Sequence, residues 1–211
     1  LALTLDAFGD DVNYSASIFQ KSGKGFYSKE IVSQGNSFII GRLYRYITLI
    51  LGLKPNEHEY KVMGMAPYCK DKYSENLLNI FKTFQDVEGS HFVYKNKPAD
   101  MYFTIRSILE GERFDSICGA VQRYTEYLVT TWIENLVGIT GVSQICLAGG
   151  VGMNVKANML VAKTSCVKSI FVPPSPDDSS QAMGSVLEHL HSSDEIYCKD
   201  RDFIPYLGSY P

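Results

Sequence analysis

Three short stretches carry residues whose types and spacing could do chemistry. The first is Gln144-Ile145-Cys146-Leu147-Ala148-Gly149-Gly150-Val151-Gly152-Met153-Asn154, a strand over Ile145 to Leu147 that runs into a glycine-rich turn. Asn154 stands where a helix N-cap belongs, ahead of Val155 to Val161. A strand feeding a glycine turn and then a helix leaves backbone N–H groups pointing outward, with the positive end of the helix dipole behind them. Glycine lets a ligand approach the backbone, so the corner suits a phosphate or another anion. Many strand-to-helix turns need glycine and bind nothing, and this stretch alone leaves both readings open.

The second stretch, Leu5-Asp6-Ala7-Phe8-Gly9-Asp10, puts an acid at a strand end, then a glycine turn and a second acid. Such a hairpin either points at nucleotide phosphates or uses Asp6 and Asp10 as turn formers. The third is Pro176-Asp177-Asp178, at the mouth of another strand–turn–helix unit. Asp178 reads as a helix N-cap or as a metal ligand, and spacing alone favours the cap. The four histidines (His58, His91, His189, His191) form no HxxxH pair, and His189 and His191 cannot share one helix face. Any histidine partners of Asp178 are therefore expected outside this chain. Lys61 and Glu59, in Glu59-Tyr60-Lys61-Val62-Met63-Gly64, are charges beside an apolar run and read as a surface turn over buried methionines. No serine elbow, Cys/His dyad, Walker loop or dinucleotide fingerprint is present.

The elements that must position these residues follow from periodicity. Leu1 to Phe8, Tyr14 to Phe19 and Phe26 to Val32 read as three short strands in an antiparallel meander. The period then becomes helical: Ile40, Leu43, Tyr44, Ile47, Ile50 and Leu51 predict a helix capped by Asn36 or Ser37 and ended at Gly52. A second amphipathic helix is predicted over Asp71 to Phe84, and a long one over Ser116 to Val137. Strand Gln144–Leu147, a helix from Asn154, strand Ser169–Val172 and a helix from Ser179 complete the chain. Segment 85–112 carries no motif and reads as a possible insertion that shapes a rim. One α/β domain over 1–204 is expected, with a mixed sheet flanked by helices. By fold-level analogy that order is the layout of a ribonuclease-H-like lobe of the actin–hexokinase superfamily.

Composition narrows the class. A chain of 211 residues, 45% hydrophobic and 20% charged with net charge −3, is globular and offers no electrostatic case for nucleic acid. No apolar run is long enough to span a membrane. Five cysteines (Cys69, Cys118, Cys146, Cys166, Cys198), odd in number and widely spaced, argue against a disulfide framework or a structural zinc site and for a reducing cytoplasm. Cys146 reads as a small core residue. The chain lacks an initiator Met and opens in a strand pattern, so a piece of a longer protein is expected.

These residues resemble the nodulation-type O-carbamoyltransferases, a family that also acts in antibiotic biosynthesis. The Asp6 hairpin is similar to the family's Asp-Gly-x-Gly-Glu/Asp turn, with Ala7 in place of a glycine. Residues 52–68, around Glu-Tyr-Lys-Val-Met-Gly-Met-Ala-Pro-Tyr, resemble its most distinctive signature, with Cys69 where glycine is common. Residues 147–154 match its Gly-Gly-Val-x-x-Asn turn, and 176–184 its acidic turn, with Ser180 replacing a frequent glycine. Residues 205–211 look like the junction to the family's C-terminal module.

The resemblance implies that carbamoyl phosphate and ATP give carbamoyl-adenylate in a C-terminal adenylating module. The actin-like domain then transfers the carbamoyl group to a hydroxyl of a sugar or natural-product acceptor. It implies a divalent, iron-type metal held by Asp178 and two histidines of an N-terminal lobe, this chain being the C-terminal lobe and inactive alone. Gly149, Gly150, Val151 and Asn154 would hold the nucleotide, with Asp6 and Gly9 on its phosphate side. Lys61 is expected either at a phosphate or carbamoyl group or in a structural salt bridge. Two alternatives stay open: a sugar kinase-like enzyme of the same superfamily, and a nucleotide-binding regulatory domain without transfer activity.

Overall fold

Alternation decides the first strand. Leu3 and Leu5 are buried while Thr4 between them is exposed, which gives β1 (Ala2–Leu5) one apolar face. The computed structural model describes residues 1–192 apart from positions 8, 10 and 23–25. The expected junction at 205–211, together with Asp10 and Cys198, lies outside the described residues.

β1 pairs antiparallel with β2 (Tyr14–Ser22), which pairs antiparallel with β3 (Phe26–Gly35). On the other side of β1 lie β6 (Gln144–Ala148) and then β7 (Ser169–Phe171), both parallel. The sheet order β3-β2-β1-β6-β7 is the expected meander joined to two strand–helix units. Register aligns Leu3 with Ala16 on one side and Leu147 on the other, so three buried side chains form one row. The opposite face carries Thr4, Cys146 and Phe171, all exposed. Cys146 is therefore not the core residue expected: its neighbours Ile145 and Leu147 point inward, and the period of two turns Cys146 outward.

The buried face is covered by helices. The long one is α5 (Phe114–Thr140), whose stripe Ile117, Val121, Tyr124, Leu128, Trp132 and Leu136 is the one read from sequence. Gly141, at φ 70°, ends it in the left-handed conformation that favours glycine. Trp132 is fully buried against Tyr14 and Phe92, with ring centroids 5.8 and 5.1 Å away, and its Nε1 donates to the Ser90 carbonyl at 2.8 Å. Burial of such a ring contributes about 1.5–3 kcal/mol. Segment 85–112 contributes to this core: the hairpin β4 (Gln85–Glu88) and β5 (His91–Tyr94) buries Phe92, and α4 (Met101–Leu109) buries Ile105 and Leu109.

α1 (Ile40–Ile50) starts later than the expected cap positions. Ser37 donates its hydroxyl to the Phe92 carbonyl at 2.5 Å, which ties it to the hairpin instead of to a helix. The buried Asn13 holds the approach, its Nδ2 donating to the Phe38 carbonyl at 2.6 Å and its Oδ1 accepting from the Phe38 amide at 3.1 Å. α2 (Glu59–Met65) and α3 (Asp71–Lys82) follow, then, after β6, α6 (Val155–Lys163). The last helix, α7 (Gln181–Ser192), is exposed along residues 181–189.

Candidate functional site

At the β6–α6 corner, the chain leaves Ala148, passes Gly149 and makes a 3-10 turn over Gly150–Met153. Gly149 sits at φ 92°, and a Cβ there would lie 2.2 Å from the Leu5 carbonyl oxygen. Glycine is obligatory at that point, because β1 and the turn touch backbone to backbone. The Gly149 amide is already used, donating to the Pro176 carbonyl at 2.7 Å and tying this corner to the acidic turn. Gly150, Val151 and Met153 are the turn residues that border the cavity described below.

Asn154 caps α6, its Oδ1 accepting from the Ala157 amide at 3.0 Å. The side chain is 8% exposed, and the rest of its capacity goes to Gln122 and Tyr44. Its amide is therefore committed inside the protein. Burial pushes the Tyr44 hydroxyl far above its ordinary pKa, so it stays protonated and donates to Gln122 Oε1 at 2.5 Å.

Asp6 lies just past β1. Its Oδ1 accepts from the Ala7 amide at 2.6 Å and would be 3.3 Å from a Cβ on Gly150, so the carboxylate rests against the glycine turn. Ala7, where the resembling family carries glycine, packs on Gly41 of α1, whose own Cβ would come within 2.8 Å of the Ala7 methyl.

Past β7, the two adjacent acids divide their tasks. Asp177 is the cap, with Oδ1 accepting from the Ser179 amide at 3.2 Å and from the Ser175 hydroxyl at 3.0 Å. Hydrogen bonds from Ser179 and then Ser175 hold its carboxyl below the usual carboxylate range. The cap reading of Asp178 is thus corrected, since Asp177 occupies that position. Asp178 is exposed, with one long contact from Gln181 Nε2 at 3.3 Å.

These corners enclose a cavity of about 410 Å³, large enough for a small organic ligand. Asp6, Gly150, Val151, Asn154 and Asp178 all line it. Gly9, Gly149 and Lys61 do not; Lys61, on α2, has its Nζ 5.8 Å from the centroid of the Tyr60 ring. The far wall comes from α1 through Tyr44 and Arg45, from the connection after it through Glu57, and from α2 through Glu59, Tyr60 and Met63. The sequence reading missed this wall. Tyr44 belongs to the helical stripe and reads as core, yet it also lines the cavity. Among the charged lining residues, Asp6, Glu57, Glu59, Asp177 and Asp178 outnumber Arg45. Glu57 pairs with Lys54, and Glu59 accepts from the Asn56 amide at 2.7 Å.

The described residues do not build a metal site by themselves. No group of three His, Cys, Asp or Glu side chains lies close enough among them. His58, the histidine nearest in sequence to this wall, accepts at Nδ1 from the Lys54 amide at 3.1 Å. No helix among the described residues is long and apolar enough to cross a membrane, and Cys69, Cys118, Cys146 and Cys166 are free thiols.

Asp6, Gly150 and Asp178 all follow the carboxyl ends of the parallel strands β1, β6 and β7, the end at which open α/β sheets bind ligands. By fold and site this is an α/β domain with a strand-end cavity. Comparison with known proteins makes the class specific. Residues 1–187 match the family model described as carbamoyltransferase N-terminus, and the chain belongs to the carbamoyltransferase family. It is similar to an uncharacterized protein of Synechocystis, with 32% identity over 72% of this chain and 27% of the relative. It is also similar to one of Methanocaldococcus jannaschii, with 30% identity over 89% of this chain and 36% of that protein. Nodulation protein NolNO of Sinorhizobium fredii is 28% identical over 89% of this chain and 27% of its own length. The chain thus spans roughly a quarter to a third of the length of these relatives. The matched model describes the family's N-terminus and gives no support to the expectation of a C-terminal lobe.

Proposed function

We propose that this chain forms the nucleotide-side wall of an O-carbamoyltransferase site, as one ribonuclease-H-like lobe within the family's N-terminal region. The supporting observation is that one cavity gathers Asp6, Gly150, Val151, Asn154 and Asp178 from strand ends far apart in sequence. The donor is carbamoyl-adenylate, made from carbamoyl phosphate and ATP in a separate adenylating module of the same protein. In the transfer, the acceptor hydroxyl oxygen bonds to the carbamoyl carbon, the bond from that carbon to the phosphate oxygen breaks, and AMP leaves. The hydroxyl proton passes to a base or to solvent. The acceptor is a hydroxyl-bearing sugar or natural product, and the setting is cytoplasmic.

Each wall residue has a task in this reading. The Gly150 and Val151 backbone lies against the adenylate, Gly149 holds the two corners together, and Asn154 sets the turn instead of touching the ligand. Asp6 faces the phosphate side, with Gly9 shaping the hairpin behind it. The acidic lining would repel a bare phosphate, so neutralising charge has to come from a cation or from further basic side chains, Arg45 being the one cationic lining residue among the described residues. Asp178 is the carboxylate available as a ligand to a divalent, iron-type metal whose histidines lie elsewhere in the protein. Such a metal would polarise the carbamoyl carbonyl as a Lewis acid. Lys61 supports α2 from outside the cavity in this account.

The test is product analysis on the full-length protein with carbamoyl phosphate, ATP and a polyhydroxylated acceptor. Formation of AMP and a carbamate ester is expected, and Asp178→Ala abolishes the ester while the circular dichroism spectrum is kept. ADP and a phosphate ester would establish the kinase alternative, and nucleotide binding without product the regulatory one. Chain 1–211 alone is expected to transfer nothing.

A further inference from the structure

We infer that Gln122, in the middle of α5, is a positioning residue for this wall: it fixes Asn154 and thereby the glycine turn against which the donor rests. The inference deepens the reading above and rests on it. Gln122 is 3% exposed and sits on the buried, mostly apolar face of a helix whose other buried polar side chains are the small Ser116 and Thr125. A buried amide in such a stripe needs partners, and every capacity of this one is filled. Oε1 accepts from the Tyr44 hydroxyl at 2.5 Å and from Asn154 Nδ2 at 3.0 Å. Nε2 donates to Asn154 Oδ1 at 3.0 Å and to Glu126 Oε1 at 2.8 Å.

The two amides therefore face each other as a reciprocal pair, and the remaining acceptor site of Asn154 Oδ1 takes the Ala157 amide. Asn154 has one orientation that satisfies both α6 and Gln122, and that orientation sets where the turn ends. Tyr44 extends the network to α1 at the cavity wall, while Glu126 carries it to a second cleft bordered by Arg123 and Lys156. Gln122 does not line the first cavity and acts on it only through Asn154 and Tyr44.

Two substitutions in the full-length protein test this. Gln122→Met keeps the shape and removes every hydrogen bond. It should raise Kd for AMP at this wall, AMP being the probe used here, about tenfold with kcat for ester formation within about twofold, the scale of one lost buried hydrogen bond. Hydrogen exchange at the Gly152 and Ala157 amides should speed up similarly. In Gln122→Glu the new carboxyl faces Glu126 on its own helix, the Tyr44 hydroxyl from α1 and Asn154, with Arg123 and Lys156 bordering the cleft behind. Protonated, it still donates to Asn154 and accepts from Tyr44; ionised, it cannot donate. Nucleotide affinity of this variant should be near wild type at acid pH and fall as the carboxyl ionises, a step the wild type lacks. An unchanged Kd for AMP in both variants, or an equal rise at every pH accompanied only by a lower Tm, would overturn the inference. A wild-type protein that binds no adenine nucleotide sinks the functional reading instead, and the exchange measurement then decides by itself whether Gln122 fixes the turn.

Discussion

Two strand–turn–helix corners flank the same cavity and are built in opposite ways. At β6–α6 a single polar side chain, Asn154, meets the cap requirement and is consumed by it, with the neighbouring turn residues Gly150 and Val151 bordering the cavity. At β7–α7 two adjacent acids share the work: Asp177 caps and Asp178 stays exposed at the cavity. A lone cap residue cannot also serve a ligand once its lone pairs are filled, whereas a pair separates structure from chemistry. At the first corner the cap side chain is buried with its hydrogen bonds filled; the second corner lies at the start of a helix whose residues 181–189 are all exposed.

Substitutions that should sharpen this contrast differ mainly in stability. Gly149→Ala combines an unfavourable φ with a backbone collision and should cost about 3 kcal/mol or more, read as a large loss of Tm or as insoluble protein. Asn154→Ala removes the cap and leaves Gln122 half-paired in the core, and about 2–3 kcal/mol is expected from denaturant unfolding. Asp177→Ala should cost about 1 kcal/mol, as loss of an exposed cap does. Its contribution also depends on pH. The folded state holds the Asp177 carboxyl below its ordinary value, so the stabilisation is present above the ordinary carboxylate range and fades as pH falls through the lowered value. The difference in stability between wild type and Asp177→Ala should therefore shrink in acid. Asp178→Asn should change stability by less than about 0.5 kcal/mol, the range of surface substitutions, and still abolish transfer. If Asp178→Asn were as costly as Asp177→Ala, the division of labour between the two acids would fall.

Much of this architecture is legible in the sequence because period and burial agree there. The α5 stripe from Ile117 to Leu136 and the alternation of β1 are each set by one buried face. The Asn154 cap is equally plain, since an asparagine between a glycine turn and an apolar helix has few other uses. Legibility fails where two signals compete. Cys146 lies in a short apolar run, which suits a strand buried on both faces as well as one buried on a single face, and only register resolves it. For Asp178 spacing favours a cap over a metal ligand, but Ser175 and Ser179 converge on Asp177, and hydroxyl geometry cannot be read from one dimension. The wall from α1 and α2 is invisible for another reason: Tyr44 and Met63 look like core residues, and whether their ends meet protein or cavity depends on the path of neighbouring chain. A signal for Gln122 did exist, as a polar residue among the buried positions of α5 is itself informative.

The backbone contact at Gly149 also bears on how this site can vary over evolutionary time. Every replacement of glycine by another amino acid adds a Cβ, and here that atom would lie 2.2 Å from the Leu5 carbonyl oxygen. No gradual route leads away from glycine at 149, because the first step is among the most damaging. Val151 and Met153 border the cavity a few residues further on without such a contact. Variation in the lining of this turn is therefore open at those two positions, with the corner beneath them held fixed.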